Sequence, residues 1–425
     1  MPLDPERVER RPLPGYRRPL LLLVGVWAAW AIGLLAFQEV VVARLEADRP
    51  DRVLGWTGPH TTADRNDDRA YLSEPTLNAH VSFDSEYYLS IAVAGYDDDL
   101  VPSYDPAKGP SVSANHGFGA LYPFTIRAVA APLTWLGVGP VAAAAVAGVG
   151  ISLLSALAAM LSLYLLARRH LGEAGALRAA FYLLIFPSGF FLAQVYTEGL
   201  FMALAFGALV LMADQKPLPA GLLAAAAVLT RPVGIALVLP LALGCIQAFL
   251  VLRRPEGGAS FSRMHFVAWV AATLVPTVTF LAWSSSSLGR GYAIIQRELG
   301  ARTPLNLEAS WSGWSGAIAG WADALPETRV YYGLEVAVIV LGVAASAWAM
   351  RRWPGPALFG LAAIVIAISS GPAQGMIRYS LAAPAIFLLL ARLGQHPVLD
   401  RGWTILSVLL MGLLATLFSL DFWVG

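Results

Sequence analysis

Repeated runs of apolar residues constrain this chain more than any motif does. A first run at 19–43 is followed by ten more, and most approach the roughly 20 residues that an α-helix needs to cross a bilayer. The ten are 140–167, 174–192, 196–213, 217–229, 232–252, 264–284, 330–350, 355–370, 376–393 and 403–421. The pattern predicts an all-α polytopic membrane protein with about 11 spans.

Composition supports that class and argues against others. The chain is 57% hydrophobic and 13% charged, which is atypical of a soluble domain. Its formal net charge of +1 gives no reason to expect a nucleic-acid partner. The one cysteine, Cys245, lies in an apolar run, so we interpret it as a packing residue and predict neither a disulfide nor a cysteine metal site.

Basic residues predict how the chain crosses the membrane. The segment 1–18 is rich in arginine, and the run at 19–43 is too long for a signal peptide and lacks a small-residue cleavage site, so we predict a cytosolic tail at 1–18 and a single transmembrane domain at 19–425. Further clusters are Arg168-Arg169, Arg178, Lys216, Arg253-Arg254, Arg263, Arg351-Arg352, and Arg392 with Arg401. All of them fall on the cytosolic side if the ambiguous segment 118–137 does not cross, so we predict an interfacial or re-entrant segment there.

This topology leaves two long loops outside, at 44–117 and 285–329. The expected location is a bacterial plasma membrane, with the N-terminus in the cytosol and any active site on the other side. The second loop contains Trp311, Trp314 and Trp321, which indicate a membrane-surface helix or a sugar-stacking face.

The first external loop contains a short predicted helix. Ser82 or Asp84 can cap its start, and Gly95 can end it. Phe83, Tyr87, Ile91 and Ala94 would share one side, which can lie on a membrane surface or on other helices. Asp84 would then be a carboxylate at a helix N-terminus, where the helix dipole favours it.

An acidic run follows that helix. Asp97-Asp98-Asp99 can be read as a metal site or as a solvated turn. We favour the turn, because runs of like charge are usually solvent-facing, and we predict no metal and no cofactor.

Polar residues also collect at the predicted external ends of spans. They are Gln194, Tyr196, Glu198, Thr230, Arg231, Gln374, Arg378 and Tyr379, on the same face as Asp84, His116 and Tyr122. Ionisable groups near membrane helices indicate a functional site by default. Each has a structural alternative: the arginines can snorkel or pair with Glu198, His116 can be a loop residue, and the tyrosines can belong to an aromatic belt.

Together these residue types suit one kind of reaction. Arginine binds phosphate through a planar, permanently charged fork, and a carboxylate can take a proton from an attacking hydroxyl. A substrate that needs both at a bilayer surface is a lipid-linked phosphosugar reacting with an acceptor alcohol. The arginines would stabilise the departing lipid phosphate, and Asp84 would activate the acceptor.

Several ordered pieces of the chain resemble the PIG-V-type mannosyltransferases, the family of the second mannosyltransferase of GPI-anchor assembly and its bacterial relatives. The pieces are FDSEYYLSIAVAGY at 83–96, ALYPF at 120–124, YTEGLF at 196–201, LTRPVG at 229–234, and Arg378-Tyr379 followed by Pro384. They follow the family's order and cover roughly residues 80–385.

That resemblance implies a GT-C-type transmembrane helix bundle with interfacial helices in the first external loop. It also implies inverting mannosyl transfer from a polyprenyl- or dolichyl-phosphate-mannose donor, with Asp84 as the general base. The implied acceptor is a glycolipid, a glycan or a protein, and membrane lipids surround the protein. The predicted substrate- and donor-binding residues are Glu86, Tyr88, His116, Tyr122, Tyr196, Glu198, Arg231, Gln374, Arg378 and Tyr379.

Three other interpretations stay open. One is a transferase of the same build with another lipid-phosphate sugar or acceptor. Another is a transporter or flippase, which would place ionisable groups near the bilayer midplane on broken helices in two related halves. The third is an inactive relative that acts as an assembly partner.

Overall fold

The computed structural model describes residues 17–62, 69–106, 110–253 and 259–425. Apart from its last two positions, the predicted tail at 1–18 lies outside these residues, as does Arg254 of the basic clusters. The helices are α1 (Arg17–Arg44), α2 (Ser85–Val93), α3 (Leu121–Trp135), α4 (Pro140–Ile185), α5 (Glu198–Ala213), α6 (Pro217–Thr230), α7 (Val238–Leu252), α8 (Ala259–Ser285), α9 (Ser287–Glu298), α10 (Leu307–Ala319), α11 (Pro326–Ala349), α12 (Pro354–Ile368), α13 (Met376–Tyr379), α14 (Pro384–Leu393) and α15 (Pro397–Ser419). One antiparallel pair joins β1 (Ser103–Tyr104) to β2 (Val112–Ser113).

The predicted all-α membrane class is confirmed, but the count of 11 spans is not. In the part of the chain that the structure describes, six helical segments are long and apolar enough to cross a membrane. A seventh span results if the segments Met376–Ala382 and Pro384–Leu393, bent by 83°, form one broken span. Helices α5, α6 and α12 are apolar but shorter.

Proline and glycine set many of the helix boundaries. Proline lies at the start of six helices, where its missing N–H costs no hydrogen bond; these are Pro140, Pro217, Pro326, Pro354, Pro384 and Pro397. Inside α4, Gly172 has φ +69° and is not helical. It therefore divides α4 near the predicted gap between the runs at 140–167 and 174–192.

Helix α3 occupies most of the ambiguous segment 118–137. It has 15 residues with Pro132 inside, and it is not among the helices long and apolar enough to span. Trp135 and Leu136 at its end are 85% and 82% exposed. The interfacial placement of this segment stays a prediction.

The predicted helix of the first external loop exists as α2, with two corrections. Asp84 is at the N-cap position, but its side chain makes no capping hydrogen bond. The predicted apolar side is also not uniformly buried, because Ile91 is buried while Ala94 is exposed. Helix α2 is surrounded by protein on most sides, and it ends before Gly95, which has φ +115°.

The acidic run after α2 is part of a turn that hydrogen bonds hold in place. The Tyr71 hydroxyl and Ser90 Oγ donate to Asp98 Oδ2 over 2.5 and 2.7 Å. Burial acts to raise the pKa of Asp98, but these bonds and the Leu100 N–H outweigh it, so the pKa lies below its usual value. Within the described ranges, no group of three or more His, Cys, Asp or Glu side chains is placed to hold a metal ion.

Candidate functional site

Four charged side chains from distant parts of the sequence form one continuous set of ion pairs. Arg378 Nη1 donates to Asp84 Oδ2 over 2.7 Å. Arg378 Nε lies 3.2 Å from Glu198 Oε1, a contact of charges that is not aligned as a hydrogen bond. Arg231 Nη1 donates to the same oxygen over 2.5 Å. We call Asp84, Arg378, Glu198 and Arg231 the ion-pair chain.

Exposure differs between the two carboxylates of the ion-pair chain. The Glu198 and Arg378 side chains are 3% and 9% exposed, whereas Arg231 and Asp84 are 18% and 23% exposed. Removing such charges from water costs several kcal/mol per ion, which pairing only partly returns. Because its side chain is more exposed, Asp84 is more accessible to a reactant than Glu198 is.

All four members lie at helix ends. Asp84 directly precedes α2, Glu198 is the first residue of α5, Arg231 lies in the break after α6, and Arg378 is in α13. Both carboxylates thus face the positive end of a helix dipole. Close packing places α5, because a Cβ on Gly199 would lie 2.8 Å from the Ser152 carbonyl oxygen of α4.

Tyr196 holds the backbone that carries Asp84. Its hydroxyl donates to the Ser82 carbonyl over 3.1 Å and accepts the Asp84 N–H over 3.3 Å. Between them, Phe83 adopts φ +48°, a strained conformation for a non-glycine residue and one that is common at functional sites. The Arg378 guanidinium also lies 5.4 Å from the Tyr196 ring centroid. Tyr196 is therefore a positioning residue for the acid and its partner.

Three guanidinium groups surround the ring of Tyr379. Arg231, Arg302 and Arg378 lie 5.1, 5.3 and 5.3 Å from its centroid. Arg302 also donates to the Gln374 carbonyl over 2.7 Å, so Gln374 joins the site through its backbone. Arg302 lies in the external loop 285–329, and no local sequence pattern marks it as a site residue.

Sequence reasoning also missed Glu335, which supports α13 from behind. This side chain is fully buried. Its carboxylate accepts the N–H groups of Gly375, Met376 and Ile377 over 3.2, 2.6 and 3.4 Å. It thereby fixes the start of the helix that carries Arg378 and Tyr379. A glutamate inside the apolar run at 330–350 was a usable signal.

Two of the predicted tyrosines, Tyr122 and Tyr88, make packing contacts with neighbouring segments. Tyr122 is fully buried, and its hydroxyl lies 3.1 Å from the Gly148 carbonyl and 2.9 Å from Ser152 Oγ. The Tyr88 hydroxyl lies 3.4 Å from Thr197 Oγ1, and its ring packs edge-on against Tyr196. Tyr88 thus borders the site, whereas Tyr122 fastens α3 to α4.

Glu86 and His116 lie apart from the ion-pair chain. Burial raises the pKa of Glu86, and the charge of Arg69 only partly opposes it. The His116 ring packs on Tyr96, and Gly291 of α9 lies so close that a Cβ there would be 2.6 Å from the ring. Among the described residues, no hydrogen bond or ion pair links either side chain to the ion-pair chain.

The fold and the site define an integral membrane protein of bundled helices with a buried, charged site where several helices end. A family model described as Glycosyltransferase family 87 matches residues 120–371. The match covers more than half of the chain, so the chain belongs to glycosyltransferase family 87. It does not confirm the finer resemblance to the PIG-V-type enzymes.

Solved structures to which this chain is similar include those of an archaeal oligosaccharyltransferase. The apo form of the Archaeoglobus fulgidus enzyme is 13% identical with a TM-score of 0.40, covering 93% of this chain and 56% of that chain. The same organism's AglB, in complex with an inhibitory peptide and a dolichol-phosphate, is 14% identical with a TM-score of 0.39, covering 92% and 55%. This chain therefore spans about half the length of those proteins. No curated protein matches it.

Proposed function

We propose that this protein is a membrane glycosyltransferase of the GT-C type that transfers a sugar from a lipid-phosphate donor to an acceptor hydroxyl. Membership of family 87 supports the reaction class. The observation that carries the mechanism is the pairing of Asp84 with Arg378 over 2.7 Å at the more exposed end of the ion-pair chain. It puts a proton acceptor beside a cation that can stabilise a departing phosphate.

The roles follow from which atoms are free. Asp84 uses Oδ2 to bind Arg378, while among the described residues Oδ1 has no hydrogen-bond partner. The acceptor hydroxyl would give its proton to Oδ1 as its oxygen attacks the sugar carbon. As the new C–O bond forms, the bond from that carbon to the donor phosphate oxygen breaks, and the electron pair stays on the phosphate. Attack opposite the leaving group inverts the sugar carbon.

The finer identity of the donor rests on the sequence. The resemblance of residues 83–96, 196–201 and 229–234 to PIG-V-type enzymes supports mannose on a polyprenyl or dolichyl phosphate. Another lipid-phosphate sugar is the alternative. We propose a glycolipid, glycan or protein acceptor, with the reaction on the extracytoplasmic side, because Asp84 lies in the loop that the positive-inside rule places there.

Replacing the proposed base tests the mechanism. Asp84→Asn keeps the shape of the side chain but cannot accept the proton, so transfer should fall by about 10²- to 10⁴-fold. Transfer from polyprenyl-phosphate-mannose is measured in membranes, with the label followed into lipid, glycan and protein fractions. Asp214→Asn, in an exposed ion pair at the other end of α5, is the matched control and should keep wild-type activity.

Two outcomes would overturn parts of this proposal. An Asp84→Asn protein with wild-type transfer would remove Asp84 as the base. A wild-type protein that transfers no label from any lipid-phosphate sugar would remove the donor class.

A further inference from the structure

One guanidinium group at the site has no carboxylate partner. Glu198 and Asp84 balance the charges of Arg231 and Arg378. Within the described residues, no carboxylate lies within 4.0 Å of Arg302, so its charge has no direct carboxylate partner. A partly buried positive charge without a carboxylate partner attracts an anion.

We propose that Arg302, together with Arg231 on the same tyrosine ring, binds the phosphate of the lipid-linked donor. This deepens and rests on the proposed function, because it takes the phosphate to be that of the sugar donor. It adds Arg302 to the arginines assigned from sequence: Arg231 and Arg378 each contact a carboxylate, whereas among the described residues Arg302 does not.

The backbone around Arg302 is held in place before any ligand binds. Its N–H donates to the Gln296 carbonyl over 2.8 Å, and the Thr303 N–H donates to the Ser370 carbonyl over 2.7 Å. Gly371, with φ +146°, allows this approach, because a Cβ there would lie 2.5 Å from the Ala301 carbonyl oxygen. The loop between α9 and α10 is thus fastened to the segment that leads into α13.

Among the described residues, the side chain of Arg302 uses only two of its donors. Nη1 donates to Ser370 Oγ over 3.1 Å and Nη2 to the Gln374 carbonyl over 2.7 Å. A guanidinium has five N–H donors, so these two bonds orient the group and leave the rest of the fork available. A planar fork with free donors matches a phosphate oxygen pair better than a point charge does.

The position of Arg302 also suits the proposed reaction. Arg378 contacts Asp84 on one side and the Tyr379 ring on the other, while Arg302 and Arg231 lie against that same ring. A sugar placed beside Arg378 would therefore have the base near one side and the phosphate site near the other. An in-line displacement needs this arrangement, with the base and the leaving phosphate on opposite sides of the sugar.

Binding of a phosphate lipid without a sugar tests the inference separately from transfer. Purified full-length protein in nanodiscs is titrated with farnesyl phosphate, farnesol and inorganic phosphate. We expect wild-type protein to prefer farnesyl phosphate to both other probes. Arg302→Gln should weaken farnesyl phosphate binding by about 10- to 100-fold, as expected for the loss of a charge-assisted contact, and should leave farnesol binding unchanged.

Three variants serve as controls. Arg297→Gln removes an exposed arginine of α9 that pairs with Glu298 and should bind all probes like wild type. Arg302→Lys keeps the charge without the fork and should weaken farnesyl phosphate binding by at least about threefold; it decides the matter if Arg302→Gln does not fold. Asp84→Asn should lower transfer by about 10²- to 10⁴-fold while it keeps farnesyl phosphate binding.

Several results would overturn the inference. Wild-type affinity of folded Arg302→Gln, or of Arg302→Lys where the first variant is unfolded, would remove Arg302 from the phosphate site. Farnesol binding as tightly as farnesyl phosphate would show that the site does not recognise phosphate. Inorganic phosphate binding as tightly as the lipid would exclude the lipid source. Each can occur while transfer still depends on Asp84, so failure here is distinguishable from failure of the proposed function.

Discussion

The two ends of α5 carry ion pairs of opposite kinds. Glu198, the first residue of α5, is 3% exposed and contacts two arginines. Asp214, directly after the last residue, pairs with Arg169, and these side chains are 41% and 37% exposed. An exposed pair contributes about 0–1 kcal/mol to stability, whereas a buried pair is often no better than apolar residues of the same volume. Stability alone therefore does not account for the buried charges around Glu198, whereas the proposed sugar transfer does.

Removing the carboxylates at the two ends of α5 should change the free energy of unfolding by very different amounts. This is the largest effect that we expect. Glu198→Ala leaves Arg231 and the buried Arg378 short of a carboxylate, so it should lower the free energy of unfolding by about 3–5 kcal/mol. Asp214→Ala should lower it by about 1 kcal/mol or less. Denaturant-induced unfolding in detergent micelles measures both. Equal effects of the two variants would mean that burial does not distinguish the two ends.

A substitution of Glu335 tests whether this residue positions α13 for sugar transfer or only stabilises the fold. Glu335→Gln keeps the volume but weakens the bonds to the three N–H groups at the start of α13, which should cost about 1–3 kcal/mol of stability. Because Arg378 shifts with α13, kcat for sugar transfer should also fall by about tenfold, with a smaller change in KM for the donor. A stable variant with wild-type kcat would show that Glu335 is only a structural residue.

A pH change should act on stability through the loop beside Asp84. Burial lowers the pKa of His80 to about 4, despite a hydrogen bond to Gln194 that raises it and Glu39 at 3.7 Å, whose side chain is 53% exposed. In the unfolded chain its pKa is about 6.5. Between these values the unfolded state binds more protons, so stability present above about pH 6.5 is lost as the pH falls towards 4.

The histidine substitution provides the test. His80→Gln should reduce the loss of thermal stability between pH 6.5 and 4.5, while Asp214→Ala should keep the wild-type pH dependence. A residual slope is expected from His60, because burial also lowers its pKa to about 4. A slope of the wild-type size in His80→Gln would contradict this account.

Sequence patterns located the carboxylates and two of the arginines that the structure brings together. The predicted topology puts all four members of the ion-pair chain on one face of the membrane. In the structure, each contact between successive members is 3.2 Å or shorter. The same reasoning grouped His116 and Tyr122 with them, since shared sidedness does not show which side chains turn inwards. Arg302 was passed over because its partners, Ser370 and Gln374, are about seventy positions away.

The sequence alone determined that the chain is a bundle of apolar helices and where most of those helices begin, because hydropathy and proline act through local chemistry. It also marked the polar residues that a membrane helix would otherwise exclude. Only the tertiary structure decided which carboxylate is exposed, that Arg302 has no carboxylate partner among the described residues, and that Glu335 fixes the start of α13. Pairing and burial depend on contacts between residues far apart in the chain, and no local pattern encodes those contacts.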